Sequence, residues 1–385
     1  MHVSARLTDW LEARAPKGLL DRGFAIRNKL LSSRKFQRFA AHSPFTRAIA
    51  RRRARAVFDL CAGFVYSQVL QACVQLRVFE LLKDGPLEVE TLAARMQLSP
   101  EAAKKLLAAA ASLKLLQSRG PNRYGLGQHG AAILADPGIS AMVRHHAMFY
   151  EDLSDPVALL RGERTGLALQ KYWAYATSEQ PSDLTDPRVA GYTELMSASQ
   201  TFVAEDILDV YPVASHRCLL DIGGGDGTFL RAVAARAPAL ILKLFDLPAV
   251  ADLARVRFAT AGLAHRAATY GGDFFNDALP QGADLISLVR IIHDHDDEPV
   301  RKLFRAIHKA LPSDGRLLIA EPLAGTTGAE PVGDAYFAFY LMAMGSGRPR
   351  TANEITAMLK AEGFSRVRFI ATAMPLQVSV LIAER

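Results

Sequence analysis

The spacing of apolar and polar positions changes character along the chain. In "NKLLSSRKFQRFAAHSPFTRAIARRRARAVFDL", Leu30, Leu31, Phe36 and Phe39 are interleaved with Arg and Lys, which predicts basic helical pieces with an apolar face. "VYSQVLQACVQLRVFELL" keeps helical spacing. "PLEVETLAARMQLSPEAAKKLLAAAASLKLL" then predicts a helix, a turn capped by Ser99-Pro100 and a second helix. "QSRGPNRYGLGQHGAAIL", punctuated by Gly120, Pro121 and Gly125, reads as a tight ribbon, so residues 61–135 have the layout of a winged helix. Two helical connectors, "AMVRHHAMFYEDLSDPVALLRG" and "VAGYTELMSASQTFVAEDILDVY", follow, with loop-like "SEQPSDLTDPRVAG" between them. From residue 217, short apolar strands alternate with amphipathic helices. That alternation predicts an α/β domain with a mostly parallel, Rossmann-like sheet, whose ligands bind at the carboxyl ends of the strands. The expected organisation is a basic helical arm at 1–57, a mainly helical winged-helix domain with connectors at 58–195, and the α/β domain at 196–385.

Composition narrows the class. Half of the 385 residues are hydrophobic and 22% are charged, enough apolar material for a true core. The three cysteines, Cys61, Cys73 and Cys218, form no metal-like or redox-like pair, which argues for a reducing cytoplasm and against a disulfide scaffold. No run of 18 apolar residues occurs, so no membrane span is expected, and the first residues lack the apolar stretch of a signal peptide. Charge is uneven: residues 1–60 hold 14 Lys or Arg against 4 Asp or Glu. The arm therefore has three readings: packing on a partner subunit, peripheral contact with an anionic membrane, or, least favoured, nucleic acid. The second helix of the winged helix carries Lys104 and Lys105, but its "LLAAAAS" stretch suits helix packing better than contacts to bases.

"LLDIGGGDGTFL" sets Gly223, Gly224, Gly225 and Gly227 between a strand and a helix, where the backbone can approach a ligand. Asp246 ends the next strand and is placed to accept both hydroxyls of a ribose. Asp226 sits among the glycines where a pyrophosphate would lie, and its charge argues against a dinucleotide and for a donor with a cationic centre, S-adenosylmethionine (SAM). In "GGDFF", Asp273 is placed to receive an adenine amino group and Phe274 to cover the ring. Leu247 and Arg290 complete the expected donor set.

With these motifs in order, "LLDIGGGDG", "FDLP", "GGDFF", "IIHDHDDE" and "LLIAEPL", the chain resembles the class I SAM-dependent O-methyltransferases, in particular the plant caffeate-type and bacterial small-molecule family. The resemblance covers roughly residues 58–385. It implies a winged-helix dimerisation domain, a homodimer and a catalytic domain that methylates a hydroxyl. Within that family, "RRRARAVFDLCAGFVYSQVL" and "EPVGDAYFAFYLMAMGSGRPRT" resemble the carotenoid O-methyltransferases of purple phototrophic bacteria. That likeness implies an acceptor such as the tertiary 1-hydroxyl of a demethylspheroidene- or hydroxyneurosporene-type carotenoid.

The resemblance assigns the general base to His293. An alcohol becomes strongly acidic as it is alkylated, and an imidazole that takes its proton accelerates transfer by about 10²–10⁴. His295 stands where the family has tryptophan. A metal reading needs His293 and His295 to point the same way from extended backbone and needs a third ligand, which no motif spacing provides, so no metal is expected. Asp294, Asp296 and Asp297 read as the start and cap of the next helix. Of the two glutamates that flank the base in plant relatives, one matches Glu321 and the other falls at Pro349, which cannot serve.

"AYFAFYLMAMGSG" puts Tyr336, Phe339, Tyr340 and Met344 on one helical face. The resemblance makes this face, with Met196, the wall of the acceptor pocket. Rings and methionine suit a long apolar molecule. Two alternatives stay open from sequence: a polyketide phenol or bacteriochlorin precursor as acceptor, and a winged-helix DNA-binding regulator with a SAM-sensing domain.

Overall fold

A computed structural model describes residues 17–173 and 186–385. The chain divides into two compact units, residues 1–72 and 73–385. In the first, the basic arm is helical over Lys17–Ser32, Arg34–His42 and Arg47–Gln75. Ser33 caps the second of these by accepting the Phe36 N–H. Large apolar side chains stay exposed here, among them Phe39, Phe45, Val57, Phe58, Leu60 and Phe64. The expectation that no segment is apolar enough to span a membrane needs correction. By length and composition alone, helix Arg47–Gln75 passes that test, with an 18-residue window of mean hydropathy 1.4 that is 17% buried. A search for unbroken apolar runs misses it because Gly63, Ser67 and Gln68 interrupt the pattern.

The second unit begins with the winged helix: helices Val78–Leu81, Val89–Met96 and Pro100–Ser112, then a sheet of order β1-β3-β2 built from β1 (Leu87–Glu88), β2 (Leu116–Ser118) and β3 (Arg123–Leu126). Ser99 caps the third helix through the Ala102 N–H, with Pro100 in the first turn. Ala103, Leu107 and Ala110 are fully buried and face inward, while Lys104, Lys105 and Ala108 are exposed. Of the loop expected at 178–191, residues 178–185 lie outside the described residues; the chain is helical over Asp186–Val210.

The catalytic sheet has the order β6-β5-β4-β7-β8-β10-β9. Its strands are β4 (Cys218–Ile222), β5 (Ile241–Asp246), β6 (Ala267–Gly271), β7 (Leu285–Val289), β8 (Arg316–Glu321), β9 (Arg366–Ile370) and β10 (Ser379–Glu384). The pairs from β6 to β8 are parallel, and β10 is antiparallel to both β8 and β9. Every residue of β4 and β7 is buried, because helices cover both faces and a two-sided core replaces alternation. One cluster contains Leu219, Leu242 and Phe229; the other contains Leu220, Ile286 and Phe304. Truncating such a residue to alanine costs about 2–5 kcal/mol. After β4 the chain winds outward to β5 and β6, then returns to β7 on the other side. The crevice at that reversal, at the carboxyl ends of Ile222, Asp246 and Val289, is where open α/β sheets bind ligands.

Candidate active site

The donor side is made by backbone geometry. Past Ile222 the chain turns through Gly223, Gly225 and Gly227, all at positive φ (68°, 59° and 80°), into helix Thr228–Arg236. A side chain at Gly223 would meet Ile291, and one at Gly227 would meet Phe258. Asp246 is pinned by two backbone donors, Gly225 N–H to Oδ2 (2.8 Å) and Leu247 N–H to Oδ1 (2.7 Å). Burial raises its pKa to about 6, against the pull of those two bonds. One strand over, Asp221 is buried with Ser287 Oγ donating to it at 2.6 Å, and burial raises its pKa to about 7. A cavity of roughly 640 Å³ opens at this crevice, lined by Gly223, Gly225, Asp246, Leu247, Asp273 and Phe274, with Met196 and Arg290 across from them. The glycine cradle and the fixed carboxylate at a strand end fit a nucleoside donor, so the residues present suit SAM.

Two donor-side details revise the sequence argument. Asp226 lines the cavity, but it is no bare charge: Arg257 forms an ion pair with it, Ser197 Oγ donates to it at 2.5 Å, and it accepts the Thr228 N–H at 3.1 Å. Its power to repel a pyrophosphate is therefore small. Asp273 anchors its carboxylate in its own turn, one oxygen accepting the Phe275 N–H (2.8 Å) and the other the Asn276 amide (2.7 Å), and it lines the cavity.

The "IIHDHDDE" stretch does not run extended. Ile292–Asp294 is a 3-10 turn, so His293 and His295 enter different surroundings. His293 is 6% exposed, and its Nδ1 lies 2.5 Å from Glu321 Oε2. The other Glu321 oxygen accepts the Ile291 and Ile292 N–H groups, each at 2.8 Å, so one carboxylate fixes both the ring and its turn. The second ring nitrogen, Nε2, faces Asp294 Oδ1 at 3.1 Å. Asp294 thus faces the His293 ring and does not cap the next helix as read from sequence; Asp296 precedes helix Asp297–Ala310, and Asp297 and Glu298 occupy its first turn. Burial disfavours the charged imidazole, but Asp294, Glu321 and the hydrogen bond outweigh it and hold the His293 pKa above the ordinary value.

Arg350 was invisible in the sequence. It is 2% exposed, donates to the carbonyls of Ile292 (2.6 Å) and His295 (2.8 Å), and pairs with Asp297 at 2.7 Å. Ser346 Oγ also donates to the Asp294 carbonyl at 2.7 Å. The loop holding Pro349 therefore clamps the turn of His293 through its neighbours. "GSGRPRT" marks a turn, but nothing in it says that one arginine points inward.

On the acceptor side, Tyr336 lies in a π-helical segment, Val332–Phe337, and Phe339, Tyr340 and Met344 in the α-helix Ala338–Met344 that continues it. Tyr340 and Met344 are buried, and Tyr336 and Phe339 half-buried. The rings of Tyr336 and Tyr340 stack at 5.8 Å. Their hydroxyls meet polar partners that the sequence did not flag: Tyr340 with His145 (2.6 Å) and the Trp173 indole (2.6 Å), Tyr336 with His146 (2.8 Å). Burial raises both phenol pKa values and lowers that of His145 to about 4, so the network is neutral. Met196 sits where the Arg290 guanidinium reaches its sulfur at 3.8 Å, joining the acceptor side to the cavity. Of the predicted residues, Met196 and Arg290 line the cavity together with the donor set. Tyr336, Phe339, Tyr340 and Met344 are gathered instead in a cluster with Trp173 and Phe149. Among the described residues, no group of three or more His, Cys, Asp or Glu is arranged to hold a metal.

Comparison with known proteins places this geometry. Residues 150–365 match the O-methyltransferase domain and residues 58–136 the O-methyltransferase dimerisation domain. Demethylspheroidene O-methyltransferase of Cereibacter sphaeroides is 46% identical over 93% of this chain and 94% of that protein. The enzyme of the same name from Rhodobacter capsulatus is 40% identical over 93% of this chain and 88% of that one. Human N-acetylserotonin methyltransferase, solved in complex with SAM, shares the fold with a TM-score of 0.71 at 23% identity, over 86% of this chain and 97% of that one. The chain belongs to the SAM-dependent O-methyltransferase family, and it carries that family's dimerisation domain ahead of the catalytic sheet.

Proposed function

We propose that this enzyme methylates the hydroxyl of a hydrophobic acceptor, most specifically the tertiary 1-hydroxyl of a demethylspheroidene-type carotenoid. The observation that carries this reading is the 46% identity to a demethylspheroidene O-methyltransferase across nearly the whole of both chains. The aromatic and methionine cluster around Tyr336, Phe339, Tyr340 and Met344 supports it, because such a wall suits an apolar molecule.

Gly223, Gly225, Asp246, Leu247, Asp273, Phe274 and Arg290 are assigned to the donor. SAM supplies a methyl group activated by its sulfonium. His293 takes the acceptor's hydroxyl proton at Nε2, while Glu321 holds Nδ1–H and so fixes the tautomer and the ring plane. Once Nε2 carries a proton, Asp294 Oδ1 faces it and stabilises the imidazolium. The apolar surroundings exclude water from the transfer, and Met196 with the tyrosine face orients the acceptor.

The working form in this proposal is a homodimer built through the dimerisation domain. The exposed apolar side chains from Phe58 to Val65 fall at the start of that domain and belong to the subunit contact. The basic arm before them, including Arg47, Arg51, Arg53 and Arg55, brings a cytoplasmic enzyme to anionic lipid, where an apolar acceptor resides. Incubation with SAM and a panel of hydroxycarotenoids and phenols, read as a mass gain of one methylene, tests the acceptor. A product from phenols alone would refute the carotenoid. Flotation with anionic and neutral vesicles tests the arm, and equal binding to both would refute the lipid contact.

A further inference from the structure

The proposed base mechanism leaves His295 unused. Its ring is wedged edge-on against Phe274 (centroids 5.7 Å) and Phe275 (4.8 Å). The residue is 8% exposed, and it lines the donor cavity beside Asp273 and Phe274. Its backbone is fixed by the bond from Arg350 to its carbonyl. The imidazole nitrogens have no hydrogen-bond partner among the described residues. The ring nitrogens are not sealed off from solvent, and the space the residue borders is the cavity, so a ligand there can reach them.

The position fits one part of the donor. Asp246 marks the ribose end, and the Asp273–Phe274 turn lies beyond it, where a base attached to that ribose would extend. Asp273, anchored by the Phe275 N–H and Asn276, can accept from the adenine amino group but cannot donate to a ring nitrogen, which leaves that nitrogen in need of a donor. We propose that His295 hydrogen-bonds the adenine of SAM, reading its polar edge while the phenylalanines cover its face. This rests on the SAM reading of the cleft. A neutral imidazole offers one donor and one acceptor, and adenine presents a ring-nitrogen acceptor next to an amino donor. Burial, against the opposing charge of Asp294, holds the His295 pKa below the ordinary value and favours that neutral ring.

Calorimetry with S-adenosylhomocysteine tests this on the full-length protein. Wild-type binding checks the cleft itself; no binding would remove that reading, and this one with it. If the wild type binds, His295→Phe should weaken affinity about five- to tenfold, and His295→Gln, which keeps a donor and an acceptor, should recover most of it. A phenylalanine variant that binds like the wild type, or phenylalanine and glutamine variants equally weakened, would overturn the hydrogen bond in favour of packing alone. Nitrogen NMR of the histidine-labelled wild type needs no variant: S-adenosylhomocysteine must shift the ring nitrogens of a cleft histidine, and unmoved spectra would refute the contact.

Discussion

The donor and acceptor sides of this site are built by opposite means. The donor side is made from main chain: three glycines at positive φ, two N–H groups on Asp246 and a turn closed by Asp273. Few side chains there are free to vary without moving the backbone. The side assigned to the acceptor is made from side chains on helices, with rings packed edge-on at 5.3 Å or stacked at 5.8 Å and hydroxyls paired to His145, His146 and Trp173. In the proposed reading, exchanging those rings alters the acceptor wall while the helices stay in place. A fold of this kind can keep one donor and serve many acceptors.

That contrast can be broken from either side, and the base between them responds most. His293→Ala should lower kcat/KM by about 10²–10⁴ and leave S-adenosylhomocysteine affinity unchanged. A loss under tenfold would remove His293 from proton transfer. Glu321→Gln should cost about hundredfold in kcat, because the ring loses its anchor and the Ile291 and Ile292 N–H groups lose an anionic acceptor; equal rates in both proteins would contradict this.

Asp294→Asn sharpens the picture through pH. The base works deprotonated, and its pKa is raised, so wild-type kcat/KM should climb as pH rises through and above the ordinary histidine range. Removing the Asp294 charge lowers that pKa, so the ascending limb should move to lower pH; a limb that stays in place would show that Asp294 does not face the base. The smallest effect is expected from Tyr340→Phe. It strips a partner from both the Trp173 indole and His145, costing about 1–3 kcal/mol and a few degrees of Tm. Donor affinity should not change, whereas KM for the acceptor should rise. A change in donor affinity instead would dissolve the division between the two sides.

The same division governed what the sequence could reveal. Glycine turns and strand ends are local, so "LLDIGGGDG", "FDLP" and "GGDFF" could be read directly. The strands of the sheet were equally legible, as short, largely apolar segments alternating with amphipathic helices. The acceptor network was not, because Tyr340 meets His145 and Trp173 across 195 and 167 positions. Helical periodicity grouped Tyr336 with Tyr340 but could not foresee the π turn beneath Tyr336. Asp294 was misread for a similar reason. A row of aspartates before a helix looks like a cap, and only the tight turn at Ile292–Asp294 swings one of them toward the imidazole. The buried Arg350 has no sequence signature, since arginine is ordinarily exposed.

Strand β10 is made after β9 yet sits between β9 and β8, with Ser379 opposite Glu321. A nascent chain still lacking residues 379–384 would leave β8 as a bare edge beside the carboxylate that orients the base, and β9 with no neighbour to join. Catalytic competence should therefore wait on the docking of this strand, and until then the unfinished edge is a natural point for chaperone capture.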